Sequence, residues 1–524
     1  MDREHARKII EQVKEGEISG EDDLMKAKRE VARETDSDGI PSNTEIMEHV
    51  EEEEMDEVRR TLGRKPTRTI SGVATIAVMW MWDDFSCPYD CIYCPQGEHE
   101  GETAPKSYTG KEPSARRAID NAYDPYDQVK ARLEQFRKTG HPTDKSEVII
   151  MGGTFPSTPE KFQRHFVKRT YDALNGEEAD DLEEAKEINE TAENRNVGLT
   201  VETRPDFVKR KHLDDFLEFG STRVEMGVQT LDDEVHERTN RGHTTEDVVE
   251  STKRLKDAGF KVTYHMMLGL PGESREQDVE KFRTLFEDPR FQPDELKIYP
   301  TAVLEGTELH DRAEEGEYEP LEEEEVYDRL MEIKPDIPPY VRIKRIMRDI
   351  PSTEIDAGAS RTNARQLLHQ RMEERGLECR CIRCREAGHR KLKDGEEPEE
   401  VEMVEREYEA SGGAEKFLSF EDTDKDIVLG FLRLRFPDEP EREEIDDSTA
   451  LVRQLQVVGP SVPIGEEEEA VQHSGYGREL MERAEERARE NGFEKMTVIS
   501  AVGTREYYRK LGYSRDGPYM SKQI

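Results

Sequence analysis

Three cysteines fall within eight residues, in the run Cys87-Pro88-Tyr89-Asp90-Cys91-Ile92-Tyr93-Cys94. The run follows directly on a strand-like apolar stretch at 75–82. Three thiolates at C-x3-C-x2-C spacing can hold one iron–sulfur cluster and leave one iron without a protein ligand. A fourth cysteine would close the cluster and make an electron carrier. The same residues could instead form a zinc knuckle with a distant fourth ligand.

The surrounding pattern narrows the fold. Strand-like runs at 75–82, 147–151, 198–203, 223–228, 261–268 and 295–299 alternate with amphipathic segments at 159–174, 206–219, 245–258 and 273–286. That alternation predicts an α/β chain with a parallel barrel or part of one, a partial (βα)6 barrel. A doubly wound open sheet is the alternative. Polar and glycine-containing segments recur at successive strand ends: Met151-Gly152-Gly153-Thr154-Phe155, Glu202-Thr203-Arg204-Pro205-Asp206, Glu225-Met226-Gly227-Val228-Gln229 and Leu268-Gly269-Leu270-Pro271-Gly272. Strand ends are where such barrels build their sites. There an open iron can bind S-adenosylmethionine, and electron transfer from the cluster releases a 5′-deoxyadenosyl radical.

Composition sets the class. All six cysteines sit in two tight trios among 524 residues. That favours metal binding in a reducing compartment over a disulfide framework. No signal-like leader and no run of about eighteen apolar residues occurs, so a cytoplasmic chain without a membrane span is expected. The net charge is −42, with 38% charged and 33% hydrophobic residues. The ordered motif series argues against disorder. The acidity fits a folded protein from a cytoplasm with very high salt, where surface repulsion is screened. Local basic patches then carry the information about nucleic-acid partners. Two occur, Arg59 to Arg68 (with Arg64, Lys65 and Arg68) and Arg342 to Arg348 (with Lys344, Arg345 and Arg348). A solvated basic helix face is the alternative for the second.

Residues 1–60 read as an acidic helical segment, 61–350 as the barrel domain, 351–412 as a connecting region, and 413–524 as a second domain. The connecting region holds the second trio, Cys379, Cys381 and Cys384. Near the C-terminus, Gln472-His473-Ser474-Gly475-Tyr476-Gly477-Arg478 makes a Q-x-x-G-x-G turn entering a helix. Glycines there let the backbone approach a pyrophosphate, and the helix start supplies N–H donors. A strand, Leu455-Gln456-Val457-Val458, precedes it, and Gly503 to Tyr513 follows. Tyr507 and Tyr508 lie in that last run. One is expected to pack in a core and the other, Tyr508, to face a cofactor and protonate a leaving thiolate.

The cysteine run and strand-end motifs resemble the radical-SAM superfamily, although Thr154 replaces the carboxylate usual after the glycine pair. The C-terminal order resembles a GNAT-type acetyltransferase domain. Both halves together resemble one family, the catalytic subunit of Elongator, over roughly residues 60–524. Lys65 to Gly72, Gly242-His243, Lys297-Ile298-Tyr299-Pro300-Thr301, Arg348-Asp349-Ile350-Pro351 and Gly517-Pro518-Tyr519-Met520 also fit; the first 55 residues do not.

The resemblance implies a tRNA-modifying acyltransferase that uses acetyl-CoA, S-adenosylmethionine and a [4Fe-4S] cluster on Cys87, Cys91 and Cys94. Its product is 5-carboxymethyluridine at wobble position 34 of tRNA. It implies S-adenosylmethionine contacts at Gly152, Gly153, Glu202 and Gln229. It places acetyl-CoA against Lys145, Gln454, Leu455, Gln456, Val457, Gly475, Tyr476, Gly477, Arg478 and Tyr508. It also implies a zinc on Cys379, Cys381 and Cys384, with His389 as the nearest fourth ligand and His369 the next; three reduced thiols without metal are the alternative. The expected partners are the tRNA anticodon loop and an electron donor, for a monomer or homodimer. Two other readings stay open: a protein N-acetyltransferase with a structural iron–sulfur domain, and a non-catalytic tRNA-binding scaffold.

Overall fold

The computed structural model describes residues 72–82, 87–95, 97–99, 102–361, 363–458 and 475–524, with parts of 3–62. The first large sheet has seven parallel strands: β1 (Ala74–Met79), β2 (Lys145–Met151), β3 (Arg195–Thr203), β4 (Arg223–Gln229), β5 (Lys261–Leu268), β6 (Glu295–Pro300) and β7 (Arg342–Ile346). Their spatial order is their chain order. A doubly wound sheet reverses its order at a switch point; this one does not, so it is an open half-barrel. Helix starts between the strands are fixed by caps. Asp124 accepts from the Asp127 N–H at 3.0 Å, and Thr244 and Ser274 form capping boxes.

The seventh strand, β7, lies in the run expected to be a basic patch or helix face. It escaped the alternation because its charges face an unusual interior. On β2, Ser146, Val148 and Ile150 are buried, while Lys145, Glu147, Ile149 and Met151 are half-exposed. Val148 and Ile150 pack with Leu133 and Phe166 from the covering helices. The inner face is polar where closed barrels carry Val, Ile and Leu. Its charges form one chain along the strands. Glu147 pairs with Arg223, whose Nε lies 3.0 Å from Glu295. Lys344 lies 3.5 Å from Glu295 and 3.0 Å from Glu225. Lys297 pairs with Glu225 and lies 3.3 Å from Glu202. Alternating sign lets these ions share a half-buried surface without leaving one unpaired.

The second sheet also has seven strands: β8 (Glu402–Ala410), β9 (Gly413–Asp422), β10 (Ile427–Phe436), β11 (Thr449–Val457), β12 (Lys495–Val498), β13 (Ser514–Asp516) and β14 (Tyr519–Gln523). The order is β8-β9-β10-β11-β12-β14-β13. Ser411 and Gly412 form the turn between β8 and β9, and Gly413 already pairs with Ala410, so this sheet begins at Glu402. Strands β11 and β12 run parallel but pair only from Thr449 to Val452. Beyond that β11 continues through Arg453–Val457 while β12 ends at Val498, so the sheet splays open.

This second domain docks against the N-terminal ends of the barrel strands. Arg453 grips Asp294, the residue before β6, at 2.6 and 2.8 Å. Arg505 donates to Glu190 at 2.9 Å, and Tyr519 Oη to the Ala258 carbonyl at 3.0 Å. Among the described residues, the helices Arg3–Lys14, Glu21–Glu34 and Asn43–Met47 precede the barrel and share a small core that includes Ile9, Ile10, Val13, Leu24 and Ile46. Among the described residues no helix is long and apolar enough to cross a membrane.

Candidate active site

A cavity opens at the C-terminal ends of the barrel strands. Cys87, Cys91 and Cys94 line it together with Gly153, Glu202, Gln229, Arg241, Lys297, Tyr299, Arg345 and Arg348. The cysteine loop is pinned from several sides. The Arg204 guanidinium lies over the Tyr89 ring at 3.6 Å, and Tyr89 Oη donates to Asp206 at 2.8 Å. The Ile92 N–H donates to the Thr239 carbonyl at 3.2 Å, and Asn240 Nδ2 to the Asp90 carbonyl at 2.7 Å. Gly242 permits this packing, since a Cβ there would sit 2.6 Å from the Tyr89 ring. Gly152 has φ +126, and its Cβ would meet the Trp80 carbonyl at 2.8 Å, so the backbone here requires glycine.

Four polar atoms around the cavity are buried and have no hydrogen-bond partner among the described residues: Tyr93 Oη, Arg204 Nη1, Gln229 Oε1 and Arg241 Nε. Buried orphan polar groups are costly and mark a missing ligand or water. A mixed set of donors and acceptors beside three thiols fits an iron–sulfur cluster and the polar groups of S-adenosylmethionine. Below them, Glu202, Glu225 and His265 bring ligand atoms within 4.8 Å of one another. The Lys297 ammonium already bridges the two carboxylates. Burial opposes ionisation of Glu225, yet the charges of Lys297 and Lys344 outweigh it and hold its carboxyl well below the usual range. Burial and the Lys297 charge push the His265 imidazole down.

The acyl-CoA candidates gather at the splay in the second sheet. Gln454 Oε1 accepts from Arg433 Nε at 3.0 Å, and Gln454 Nε2 donates to Gln456 Oε1 at 3.0 Å. Gly475, at φ +83, precedes the helix Tyr476–Glu490, which carries Gly477 and Arg478 in its first turn. Gln472 to Ser474 lie outside the described residues. A Cβ on Gly477 would sit 2.8 Å from Tyr507 Oη, so Tyr507 reaches the helix start. Tyr507 is 38% exposed, whereas Tyr508 is buried edge-on between Tyr507 and Tyr513. Lys145 begins β2, the strand whose last residue, Met151, lines the radical cavity.

In the second cysteine trio, Cys381 and Cys384 Sγ are 3.6 Å apart, and all three sulfurs lie within 4.8 Å of one another. His369 Nε2 lies 3.7 Å from Cys384 Sγ, whereas His389 Nε2 lies 3.6 Å from a Glu386 carboxylate oxygen. Tetrahedral zinc at about 2.3 Å from sulfur and about 2.0 Å from nitrogen needs separations of this size. Of the nucleic-acid candidates, Arg64, Lys65 and Arg68 fall outside the described residues. Lys344 is directed at Glu225, Arg345 pairs with Asp349, and Arg348 donates to the Ser107 carbonyl.

Fold and site define a radical-SAM enzyme carrying a GNAT acetyltransferase domain. Family models agree: the Radical SAM superfamily over 85–285, its C-terminal domain over 293–374 and the acetyltransferase (GNAT) family over 386–513. A fourth model, the ELP3 N-terminal domain, matches residues 3–70. It overturns the expectation that the first 55 residues lie outside any family element. Sparse apolar positions in acidic helices hid that segment.

The tRNA uridine(34) acetyltransferase of Methanocaldococcus jannaschii is 50% identical, covering 93% of this chain and 91% of that one. Human Elongator complex protein 3 is 41% identical, covering 98% and 96%. The solved structure of archaeal Methanocaldococcus infernus Elp3, lacking its N-terminus, is 46% identical with a TM-score of 0.78, covering 87% of this chain and 100% of that one. The chain belongs to the family of tRNA uridine(34) acetyltransferases and Elongator complex protein 3.

Proposed function

We propose that this enzyme joins the methyl carbon of acetyl-CoA to carbon five of the wobble uridine of tRNA, one methyl C–H bond and the C5–H bond breaking as the C–C bond forms and S-adenosylmethionine serving as the two-electron oxidant, and that thioester hydrolysis leaves a carboxymethyl group. The supporting observation is the placement of both sites on one half-barrel. The radical cavity lies at the C-terminal strand ends, and the acyl-CoA splay docks under the N-terminal ends. Bound at the cavity, the cluster and S-adenosylmethionine supply a carbon radical able to remove a hydrogen from an unactivated methyl group. Cys87, Cys91 and Cys94 hold the cluster. Gly152, Gly153, Glu202 and Gln229 seat S-adenosylmethionine. The open backbone of β11 from Gln454 to Val457 receives the thioester arm, and Gly475, Tyr476, Gly477 and Arg478 receive the pyrophosphate. Lys145 faces the arm from the barrel side. Tyr507 or Tyr508 protonates the departing thiolate. Arg345 and Arg348, which line the cavity, contact tRNA phosphates, with Arg64, Lys65 and Arg68 as further candidates, while Lys344 is committed to Glu225 and Glu295.

The test is an anaerobic incubation of reconstituted enzyme with acetyl-CoA labelled at the methyl carbon, S-adenosylmethionine, reductant and unmodified tRNA. Nucleoside mass spectrometry should find labelled carboxymethyluridine. Unmodified uridine, from enzyme with an intact cluster and bound tRNA, would refute the reading.

Zinc on Cys379, Cys381, Cys384 and His369 accompanies this reading, with His389 outside the coordination sphere. His369→Ala should weaken zinc binding by more than the 10–100-fold typical of outer-shell changes, roughly, whereas His389→Ala should leave it near wild type. Competition with a chelator, read by metal analysis, separates the two variants.

A further inference from the structure

Each sulfur of the first cysteine trio faces a hydrogen-bond donor from a different part of the fold. Cys87 Sγ lies 3.3 Å from Thr154 Oγ1, Cys91 Sγ accepts from Arg241 Nη1 at 3.4 Å, and Cys94 Sγ lies 2.9 Å from Ser107 Oγ. We propose that Thr154, Arg241 and Ser107 are positioning residues that set the reduction potential of the cluster. None of the three needs to touch substrate to act.

The donors are fixed in place. Thr154 is buried, and its carbonyl accepts from Ser157 N–H and Oγ at 3.0 and 2.6 Å. Arg241 is buried; its Nη2 donates to the Gly227 carbonyl at 2.5 Å, and its own carbonyl accepts from Arg204 Nη2 at 2.6 Å. Gly227 makes room for that guanidinium, because a Cβ there would sit 2.6 Å from Arg241 Nη2. Ser107 holds φ +79, a left-handed conformation that costs a non-glycine residue energy. It is kept there by its N–H donating to the Pro95 carbonyl at 3.1 Å and by Arg348 donating to its own carbonyl. A strained backbone held by neighbours is a mark of function.

The physical effect follows from charge. Reduction adds one electron to the cluster. A donor pointing at a cysteine sulfur draws electron density from it and stabilises the reduced state, so the potential rises. A buried cation does more, because its field is poorly screened. Arg241 should therefore dominate, with the two hydroxyls adding smaller increments.

The experiment uses the full chain, reconstituted anaerobically without tRNA or S-adenosylmethionine. Iron and sulfide analysis measures loading, and redox titration followed by electron paramagnetic resonance measures the midpoint potential. Arg241→Met, Thr154→Val and Ser107→Ala should each shift the midpoint to more negative values at unchanged loading, Arg241→Met most. Arg241→Lys, which restores the charge, should recover most of that shift. Fully loaded variants with the wild-type midpoint would overturn the proposal. So would variants that lose cluster while the remaining cluster keeps its potential, since that marks a structural role alone. If Arg241→Met does not fold, Thr154→Val keeps shape and removes only the hydroxyl, so it still decides. A wild-type chain that binds no iron would overturn the cluster reading as well.

Discussion

Replacing Cys91 with alanine is expected to reduce the proposed carboxymethyluridine formation to background while leaving tRNA and acetyl-CoA binding near wild type. Two thiolates cannot hold a cluster that already leaves one iron open, so iron content should fall with activity. Cys91 is the buried member of the trio, on a loop pinned by Tyr89, Ile92 and Asn240 contacts that do not use its sulfur. The loop should therefore persist without the thiol. The residues proposed for acyl-CoA, apart from Lys145 at the start of β2, sit in the other domain, at the opposite end of the half-barrel, and share no hydrogen bond with Cys91 among the described residues. Nucleoside mass spectrometry, iron analysis, a tRNA filter-binding assay and calorimetric titration with acetyl-CoA measure the four quantities on one preparation. Wild-type product from a chain without iron would remove the cluster from the reaction. Lost acetyl-CoA binding would show instead that the two ends are coupled through the loop.

Much of this site was legible from spacing because thiolates and glycines have few substitutes. Cys87, Cys91 and Cys94 can meet one cluster only at short intervals, and Gly152 fits only where a side chain would strike Trp80. What escaped was set by tertiary placement. Arg241, Thr154 and Ser107 come from three separate loops, and nothing local ties them to a sulfur. Lys297 and His265 sit inside apolar strands, where a polar residue at every second position announces a wet inner face. That pattern, with Arg223, Glu225 and Gly227 on β4, marks a lining only when the strands are taken together, since each strand-end motif by itself is a local turn signal. Strand β8 hid for a related reason. It is an edge strand of largely half-exposed residues, so its sequence lacks the apolar alternation that marked β10. His369 lies ten residues before the zinc-type trio, on the helix Ala364–Glu374, and only folding brings it past the nearer His389.

Asp294→Ala is expected to destabilise the domain junction by about 3–5 kcal/mol, the usual cost of leaving a buried counter-charge unpaired. The Asp294 carboxylate accepts from Arg453 at 2.6 and 2.8 Å and from the Val262 N–H at 2.8 Å, with Lys256 and Arg433 each 3.5 Å away. Glu415 shares the same Arg453 at 2.9 Å, and every one of these ionic side chains is essentially inaccessible to water. Burial works against the Asp294 charge, but Arg453, Lys256 and Arg433 outweigh it and hold the carboxyl well below the ordinary aspartate range. Burial, with Arg453 nearby, pushes the Lys256 ammonium down to about 8. The sign for Asp294 is that of a depressed acid. Its contribution is fully present above the unfolded value of about 3.9 and is lost as pH falls through the lower folded value. The junction should therefore hold through mildly acidic pH and open in strong acid. A two-domain chain need not unfold in one step, so local hydrogen exchange on β5, β10 and β11 is the proper readout. Removing the partner cation too, in Asp294→Ala/Arg453→Met, should cost less than the sum of the single changes, because fewer charges are left stranded. Additive effects would mean the two residues act separately. The pair also has a functional position. Asp294 immediately precedes β6, which carries Lys297 and Tyr299 to the radical cavity, and Arg453 immediately precedes Gln454 at the acyl splay. Loosening this one contact should lower tRNA modification more than it lowers acetyl-CoA binding, since it moves the two ends relative to each other while leaving each intact.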